Sequence, residues 1–536
     1  MGKSKRKSNS MMVLLISMTI IYFFRLVMQH ILESKGMAYF AVINESFFLF
    51  GFGVSMSFEY AIGSIIEGRM QRGAYDTVKK IIRTAILMSI VLSVLLSLFL
   101  LLLSKFICKS MFGMPLAHLS FVIMLICLPL IIVSGVLRGY FNGIGYRRLS
   151  GYFYIIFAAL YTIVGLVLST IFMSYGNKVS VLLRSENFKY TYGTLGFSIA
   201  LIAASLLSLI YCLVIYMMYE RGTILNAKEY SKSQLSLMDS IKLIIRGLIS
   251  PSLIFVSVFF ISFIDSLLVL RKQSNDEVIV FNFGEYYSKA YPLMIIAPLV
   301  LYIFLAGNFR KAIGAARKDQ YRAARERLAR LIHRSATLSL FLAGLLIIFG
   351  ENILALLFKQ NGAAVNSYIY LLSILVFFIT MAIINSHLLY EMRYGNIVGM
   401  SAVICMVIDI IISLILSISE SSAIYGIIIG DIVFFALWSA ISFLFVCRAF
   451  QYTQEWFRTI IVSLIAAIFS TLIGMLINKA LIGVVGYLIS LVIVLLLSIL
   501  AFMVILLLLR GYEVDELEES LAGRLMIIIG RTFRLM

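Results

Sequence analysis

The chain has 536 residues, of which 62% are hydrophobic and 13% are charged, and its mean hydropathy is +1.03. An ordinary soluble domain carries about 25% charged residues, so this composition excludes a water-soluble globular enzyme and indicates a protein folded in lipid. The formal net charge is +19, but the basic residues lie in short intervals between apolar runs. Because loops that face the cytoplasm collect Lys and Arg, we interpret this charge as topogenic and expect no nucleic-acid partner.

The sequence offers no motif for a metal, a disulfide framework or a nucleotide. Its five cysteines are scattered without a CxxC pair, and its four histidines lack HExxH spacing, so neither a metal site nor zinc hydrolysis is expected. The glycine-rich phosphate-binding loop of ATPases is also absent. We therefore expect no cofactor, and we expect an ion gradient or the membrane potential to drive any transport.

Apolar runs long enough to cross about 30 Å of hydrocarbon recur along the whole chain. They lie at about 11–31, 38–66, 84–107, 116–137, 150–174, 193–217, 246–270, 288–309, 335–358, 367–390, 396–418, 423–447, 457–478 and 483–509. We therefore predict an all-α polytopic membrane protein with about fourteen transmembrane helices, here called spans 1 to 14. The first run has a basic flank but no small-residue cleavage site, so it is predicted to be a retained helix and not a signal peptide.

Basic residues alternate between the intervals that separate the spans. The even intervals are rich in Lys and Arg: the fourth has Arg138, Arg147 and Arg148, and the eighth, 310–334, has nine. The odd intervals are poorer, although the fifth, 175–192, is a longer mixed polar loop. This alternation predicts that the even intervals and both termini are cytoplasmic.

Two parts of the chain repeat one another. A basic amphipathic stretch follows both Tyr75 and Tyr321, and in each copy the next apolar run ends at a phenylalanine at the same distance, Phe112 and Phe358. Because the repeat is offset by six spans, both copies keep one orientation, which is typical of transporter halves that rock around a central cavity. The predicted domains are an N-terminal half, a cytoplasmic linker, a C-terminal half, two extra spans and a cytoplasmic interfacial tail: 1–217, 218–245, 246–447, 448–509 and 510–536.

Several short motifs occur in the order and spacing of one transporter family. They are Lys35–Phe40, Ile65–Tyr75, Leu137–Gly143, Ile264–Leu268 and Ala290–Leu293. On these motifs the chain resembles the multidrug/oligosaccharidyl-lipid/polysaccharide (MOP) exporter superfamily, and it is most similar to the MurJ and stage V sporulation protein B branch. The resemblance covers essentially the whole chain.

The resemblance implies a flippase. Such a protein moves an undecaprenyl-pyrophosphate-linked saccharide, a cell-wall or polysaccharide precursor, across the bacterial cytoplasmic membrane by alternating access. In MurJ-like members the last two spans shape a groove for the lipid tail, and spans 13 and 14 would do the same here. The implied partners are the polyprenyl-pyrophosphate-linked saccharide, membrane lipids and proteins of envelope biosynthesis.

The resemblance also implies a head-group site. Arg25 matches the cavity arginine of the MurJ branch, and Lys289 stands before the span 8 proline, where that branch carries charge. An arginine fork matches phosphate oxygens, so Arg25 and Lys289 are predicted to contact the pyrophosphate beside Glu45 and Glu59. The alternative is a structural ion pair of Arg25 with Glu45 or Glu59. Both interpretations hold if Arg25 is paired while the site is empty and contacts the pyrophosphate when the substrate binds.

Ion coupling is predicted for ionisable residues of the C-terminal half. Asp265 in span 7 is a candidate cation or proton site, with an ion pair to neighbouring basic residues as the alternative. His387 and Glu391 share one face of span 10 and form a candidate proton-sensitive pair, unless Glu391 lies at the cytoplasmic end. Asp409 and Asp431 are given no role.

Two other functions remain open. A cation-coupled multidrug exporter of the same superfamily would have a more apolar cavity with a single essential carboxylate. A membrane-embedded glycan polymerase or ligase would need catalytic residues on a long outer loop, where this chain offers only Arg184 and Glu186.

Overall fold

The computed structural model describes residues 9–225, 236–273, 277–318, 320–358, 363–418, 422–481, 487–518 and 521–532. Within these ranges all regular structure is helical, which confirms the predicted fold class. The α-helices are α1 (Asn9–Phe47), α2 (Val54–Gln71), α3 (Tyr75–Lys105), α4 (His118–Leu125), α5 (Cys127–Gly143), α6 (Arg147–Leu183), α7 (Asn187–Leu225), α8 (Leu237–Gln273), α9 (Glu277–Glu285), α10 (Tyr291–Ala316), α11 (Tyr321–Leu357), α12 (Ala363–Glu391), α13 (Gly395–Leu416), α14 (Ala423–Phe450), α15 (Ser463–Leu481), α16 (Tyr487–Leu508), α17 (Val514–Glu518) and α18 (Leu521–Thr532).

The first helix folds back on itself at Glu33, which has left-handed backbone angles (φ 58°). Arg25 and Glu45, on either side of this reversal, are joined by a 2.8 Å ion pair. In a straight helix their separation of 20 residues would place them about 30 Å apart. The two arms of α1 are therefore antiparallel: the first supplies span 1, and the second begins span 2, which continues into α2.

Thirteen stretches of the described chain are long and apolar enough to cross a membrane. The first, Met11–Gln71, contains the reversal at Glu33 and so holds two of the predicted spans. The other twelve correspond one to one with spans 3 to 14. The protein is therefore a multi-pass membrane protein with about fourteen transmembrane helices.

Many helices extend beyond the predicted spans, and this corrects the predicted loops. Only 184–186 separate α6 from α7, so the predicted outer loop 175–192 is mostly helical. Most of the basic interval 310–334 likewise belongs to the ends of α10 and α11. The predicted linker 218–245 is helical at both ends, and its centre, 226–235, lies outside the described residues. The helices are longer than the predicted spans because hydropathy identifies only the part of a helix that suits hydrocarbon, whereas backbone hydrogen bonding continues past it.

A stripe of glycines on α5 lets α2 approach closely. Gly135, Gly139 and Gly143 recur every four residues and so share one face of the helix. A Cβ added at Gly135 would lie 2.2 Å from the backbone oxygen of Ser55, and one at Gly139 would lie 2.8 Å from that of Glu59. Between membrane helices, where lipid competes for apolar surface, such close packing supplies much of the attraction.

The chain forms two compact units that are both discontinuous in sequence. The first unit comprises Met1–Pro292 and Tyr394–Phe434, and the second comprises Leu293–Arg393 and Phe435–Met536. These units follow contacts in space, whereas the predicted halves follow a sequence repeat. The predicted halves and the other predicted domains therefore stay predictions.

Gly135→Ala is expected to destabilise the protein by about 1–3 kcal/mol, because its methyl group would overlap a backbone oxygen of α2. The matched control is Gly68→Ala, since no atom lies within 4 Å of a Cβ added at this helical glycine. There the higher helix propensity of alanine should leave stability unchanged or slightly raised. Thermal unfolding in detergent measures both, and wild-type stability of Gly135→Ala would contradict the close contact.

Candidate functional site

A buried ion pair between the two arms of α1 forms the centre of the candidate site. Arg25 Nη2 lies 2.8 Å from Glu45 Oε1, and both side chains are 2% exposed. The Asn44 amide donates to the same carboxylate oxygen at 3.1 Å, and the Tyr287 hydroxyl donates to it as well. The expected pairing of Arg25 with Glu45 is thus present, whereas Glu59 has a different partner.

Two aromatic rings flank the Arg25 guanidinium. Its Cζ lies 4.6 Å from the ring centroid of Tyr22 and 4.4 Å from that of Tyr287, which favours a cation at this position. Among the described residues, Nε and Nη1 of Arg25 have no hydrogen-bond partner. These two donors can therefore take an anionic oxygen, and a phosphate oxygen matches the arginine fork.

Glu59 belongs to a second buried network, between α2, α5 and α6. Its carboxylate lies 2.9 Å from Arg138 Nε. Asn142 and Ser150 each donate to it at 2.8 Å, and the Tyr154 hydroxyl donates to it too. In this conformation protein donors therefore occupy both oxygens of Glu59, and its predicted contact with substrate stays a prediction.

Arg138 corrects the loop-charge analysis. It was assigned to a cytoplasmic interval, but it lies inside α5 and is fully buried. Its Nη2 donates to Ser55 Oγ at 2.7 Å, and its guanidinium lies 4.1 Å from the ring centroid of Phe153. From the sequence alone, a buried arginine that is paired with an acid cannot be distinguished from an arginine of a cytoplasmic loop. The available signal was the Gly135 and Gly139 pair around it, which is typical of a buried helix face.

Lys289 also has a protein partner. Its Nζ lies 2.6 Å from Glu285 Oε1, one helical turn away, and both side chains are buried. The Ser34 hydroxyl donates to the same oxygen at 2.5 Å, and Gln29 donates to Ser34 at 2.8 Å. This network connects α9 and the following π-helical turn to the reversal of α1. Sequence reasoning gave Glu285 no role, although its four-residue spacing from Lys289 was visible.

The reversal of α1 touches α9 directly. A Cβ added at Gly284 would lie 1.7 Å from the backbone oxygen of Ser34, so only glycine permits this approach. Lys35 Nζ lies 2.6 Å from Glu277 Oε2 in the same region. We call the four residues Ser34, Lys35, Glu277 and Gly284 the reversal contact. By the loop-charge prediction, it lies at the outer end of the first unit.

Three aspartates from three helices lie in electrostatic range of one another inside the first unit. Asp265 of α8, Asp409 of α13 and Asp431 of α14 are 5%, 1% and 1% exposed, and Asp265 interacts electrostatically with both others. The hydroxyl of Ser413 donates to Asp409 at 3.3 Å. Among the described residues, Asp265 Oδ1, Asp409 Oδ2 and both oxygens of Asp431 have no hydrogen-bond partner. We call these three residues the aspartate cluster.

The aspartate cluster extends the predicted coupling site. Sequence reasoning selected Asp265 alone, because nothing in the spacing of α8, α13 and α14 shows that their carboxylates converge. The alternative ion pair with Arg271 is not formed in the described part of the chain, where Arg271 is exposed. In that part no group of three or more His, Cys, Asp or Glu side chains is arranged to hold a metal ion.

His387 and Glu391 lie in the second unit. Their side chains approach to 3.8 Å between Nε2 and Oε1, while Arg317 pairs with the other oxygen of Glu391. The His387 ring also shares a hydrogen bond with the Tyr302 hydroxyl and stacks on Phe309 at 4.3 Å between centroids. The two predicted residues are thus close together, and their proton sensitivity stays a prediction.

Known proteins share this architecture. A family model described as MatE matches residues 10–168, and no curated protein matches the chain. The inward-facing structure of a multidrug resistance MATE family transporter of the MOP superfamily has a TM-score of 0.59 at 14% identity, covering 82% of this chain and 94% of that chain. The eukaryotic MATE transporter AtDTX14 has a TM-score of 0.61 at 15% identity, covering 87% and 98%. This chain has the MATE transporter fold.

This fold is the one expected from the resemblance, and two of the similar structures are described as members of the MOP superfamily. A third similar structure is a MOP superfamily transporter from Pyrococcus furiosus whose binding pocket is described as having reverse polarity. Its TM-score is 0.55 at 14% identity, covering 84% of this chain and 95% of that chain. In each of these three comparisons at least 94% of the known structure is aligned, whereas at most 87% of this chain is aligned. The finer assignment to the MurJ branch stays a prediction.

The reversal contact predicts a cross-link that depends on Gly284. In Lys35→Cys/Glu277→Cys, the cysteines replace long side chains whose ends meet at 2.6 Å, so a bifunctional methanethiosulfonate that spans the length of the removed side chains is expected to link them through disulfides. Adding Gly284→Ala should reduce cross-linking severalfold, because the methyl group would overlap the Ser34 backbone. Gly307→Ala is the control, since a Cβ there meets open space. Equal cross-linking in both backgrounds, read from gel mobility with and without reductant, would contradict the contact.

Proposed function

We propose that this protein is a cation-coupled exporter and that the aspartate cluster carries the coupling proton or cation. The observation that carries the proposal is the burial of Asp265, Asp409 and Asp431 with carboxylate oxygens that no described donor satisfies. Similarity in fold to MATE transporters, one of them a multidrug resistance protein, supports export as the activity.

The electrostatics of the cluster account for the coupling. A charged carboxylate in an apolar interior costs several kcal/mol unless a counter-charge offsets it, and neighbouring carboxylates raise that cost. Because these carboxylates are not arranged to hold a metal ion, the packed arrangement favours a bound proton. When the helices separate and water enters, the carboxylates ionise and release it. A gradient of that ion then biases one conformation over the other, as differential binding requires.

Neutralising the cluster tests the coupling. Each of three substitutions removes one carboxylate whose charge can change: Asp431→Asn, Asp265→Asn and Asp409→Asn. Ion-driven transport should fall at least about tenfold in each variant. The folded state should persist, because burying an amide costs less free energy than burying a charge. The matched control is Asp76→Asn, in the first turn of α3. Proteoliposomes with an imposed proton or sodium gradient and ethidium as the probe give the rates. Wild-type rates in all three variants would overturn the coupling role.

A lipid-linked saccharide is the second candidate cargo, and Arg25 is the observation that favours it. This buried guanidinium has two nitrogens, Nε and Nη1, without a described acceptor, and a pyrophosphate supplies such acceptors. The extra length of this chain over its MATE-fold neighbours also suits a cargo with a long polyprenyl tail. For this cargo, ion binding at the aspartate cluster drives transport, and Arg25 and Lys289 contact the head group.

The cargo is tested with a fluorescent undecaprenyl-pyrophosphate-linked oligosaccharide in proteoliposomes. Arg25→Ala is expected to lower translocation at least about tenfold, and Arg25→Lys should remain well below wild type because the planar fork is lost. Lys178→Ala, which removes an exposed cation away from the site, is the control and should retain translocation. Ethidium transport without lipid translocation by the wild type would exclude this cargo. Wild-type translocation in Arg25→Ala would remove Arg25 from the site.

A further inference from the structure

The last described helix, α18, is held against the end of the last span. Met526 belongs to a buried cluster with Phe502 and Leu506 of α16. Gly523 packs on α17 so closely that an added Cβ would lie 2.1 Å from the backbone oxygen of Leu517. One face of α18 is therefore fixed by protein, at the level where α16 ends.

The opposite face of α18 is exposed and of mixed character. Among the residues of α18 whose burial is described, the exposed ones are Arg524, Leu525, Ile528, Arg531 and Thr532. At about 100° per residue they fill one arc of about 120°. Leu525 and Ile528 are 55% and 60% exposed, and Leu521–Thr532 contains no Asp or Glu. Large apolar side chains beside arginines on one helix face suit the boundary between lipid head groups and acyl chains.

The acidic segment before α18 is bound by the protein. Glu513 Oε1 lies 2.7 Å from Arg458 Nη1, and Glu516 Oε2 lies 3.5 Å from His333 Nδ1. Burial alone would raise the pKa of Glu516, but its interactions with His333, Arg458 and the Glu513 backbone together outweigh burial, so the pKa of Glu516 is lowered. Protein groups thus balance these negative charges. Arg524 donates to the backbone oxygen of exposed Glu518 at 3.3 Å.

We propose that the exposed face of α18 binds the anionic phospholipid surface of the membrane. Arg524 and Arg531 contact lipid phosphates, and Leu525 and Ile528 enter the upper acyl region. The loop-charge prediction places this end of the chain at the inner leaflet, where anionic lipids attract basic segments. The partner is therefore a lipid surface, and the contact does not depend on the cargo of the transporter.

Depth-dependent quenching in nanodiscs tests this surface. Leu525→Trp is placed in a full-length Trp438→Phe/Trp456→Phe background, which removes both native tryptophans. Its fluorescence is measured with brominated phosphatidylcholine or brominated phosphatidylglycerol at equal mole fraction. Quenching by the anionic lipid is expected to be stronger. Because each basic residue near an anionic surface favours it roughly fivefold, Arg524→Gln/Arg531→Gln should abolish the preference.

The matched control removes two exposed arginines elsewhere, in Arg72→Gln/Arg322→Gln, and should keep the preference. Ile528→Ser should lower quenching by both lipids, and monodispersity on size exclusion verifies that each variant is folded. Equal quenching by the two lipids, or none by either, would overturn the proposal. So would a cross-link between two copies through Leu525→Cys in discs without anionic lipid, which would identify a second copy as the occupant.

Discussion

A charge inside an apolar interior needs a partner, and this requirement organises the first unit. Each of the three buried cations among its described residues stands beside its own acid: Arg25 with Glu45, Arg138 with Glu59 and Lys289 with Glu285. Breaking such a pair leaves an uncompensated charge and costs about 3–5 kcal/mol. The pairs therefore dictate which helices are neighbours. The first brings the two arms of α1 together, and the second joins α2 to α5.

Close backbone approach makes these pairs geometrically possible. The glycines of α5 bring α2 so near that Arg138 reaches Glu59 within the packed interface. Gly284 does the same for α9 and the reversal of α1, where Ser34 and Glu285 then meet. In lipid, apolar surface alone does not select helix partners, so small residues and polar contacts decide them together.

The aspartate cluster is the exception to this pairing, and the proposed function depends on it. Asp265, Asp409 and Asp431 are as buried as the paired acids, yet none of the described basic side chains offsets them. If every buried charge were paired, an ion gradient would not favour one conformation over another. A site with unbalanced negative charge changes its stability when it gains or loses a proton or cation. In the proposed function, the paired networks hold the fold and the cluster gives it two states.

The amino-acid sequence by itself determined the fold class and the number of spans, because both follow from hydropathy and run length along the chain. It also located Arg25, Glu45 and Asp265 as ionisable residues inside apolar runs. Only the tertiary structure decided their partners. It paired Arg138 with Glu59, placed Glu285 beside Lys289 and added Asp409 and Asp431 to Asp265. Charge partners on different helices leave no periodic signal, since the distance between them is set by helix packing and not by spacing along the chain.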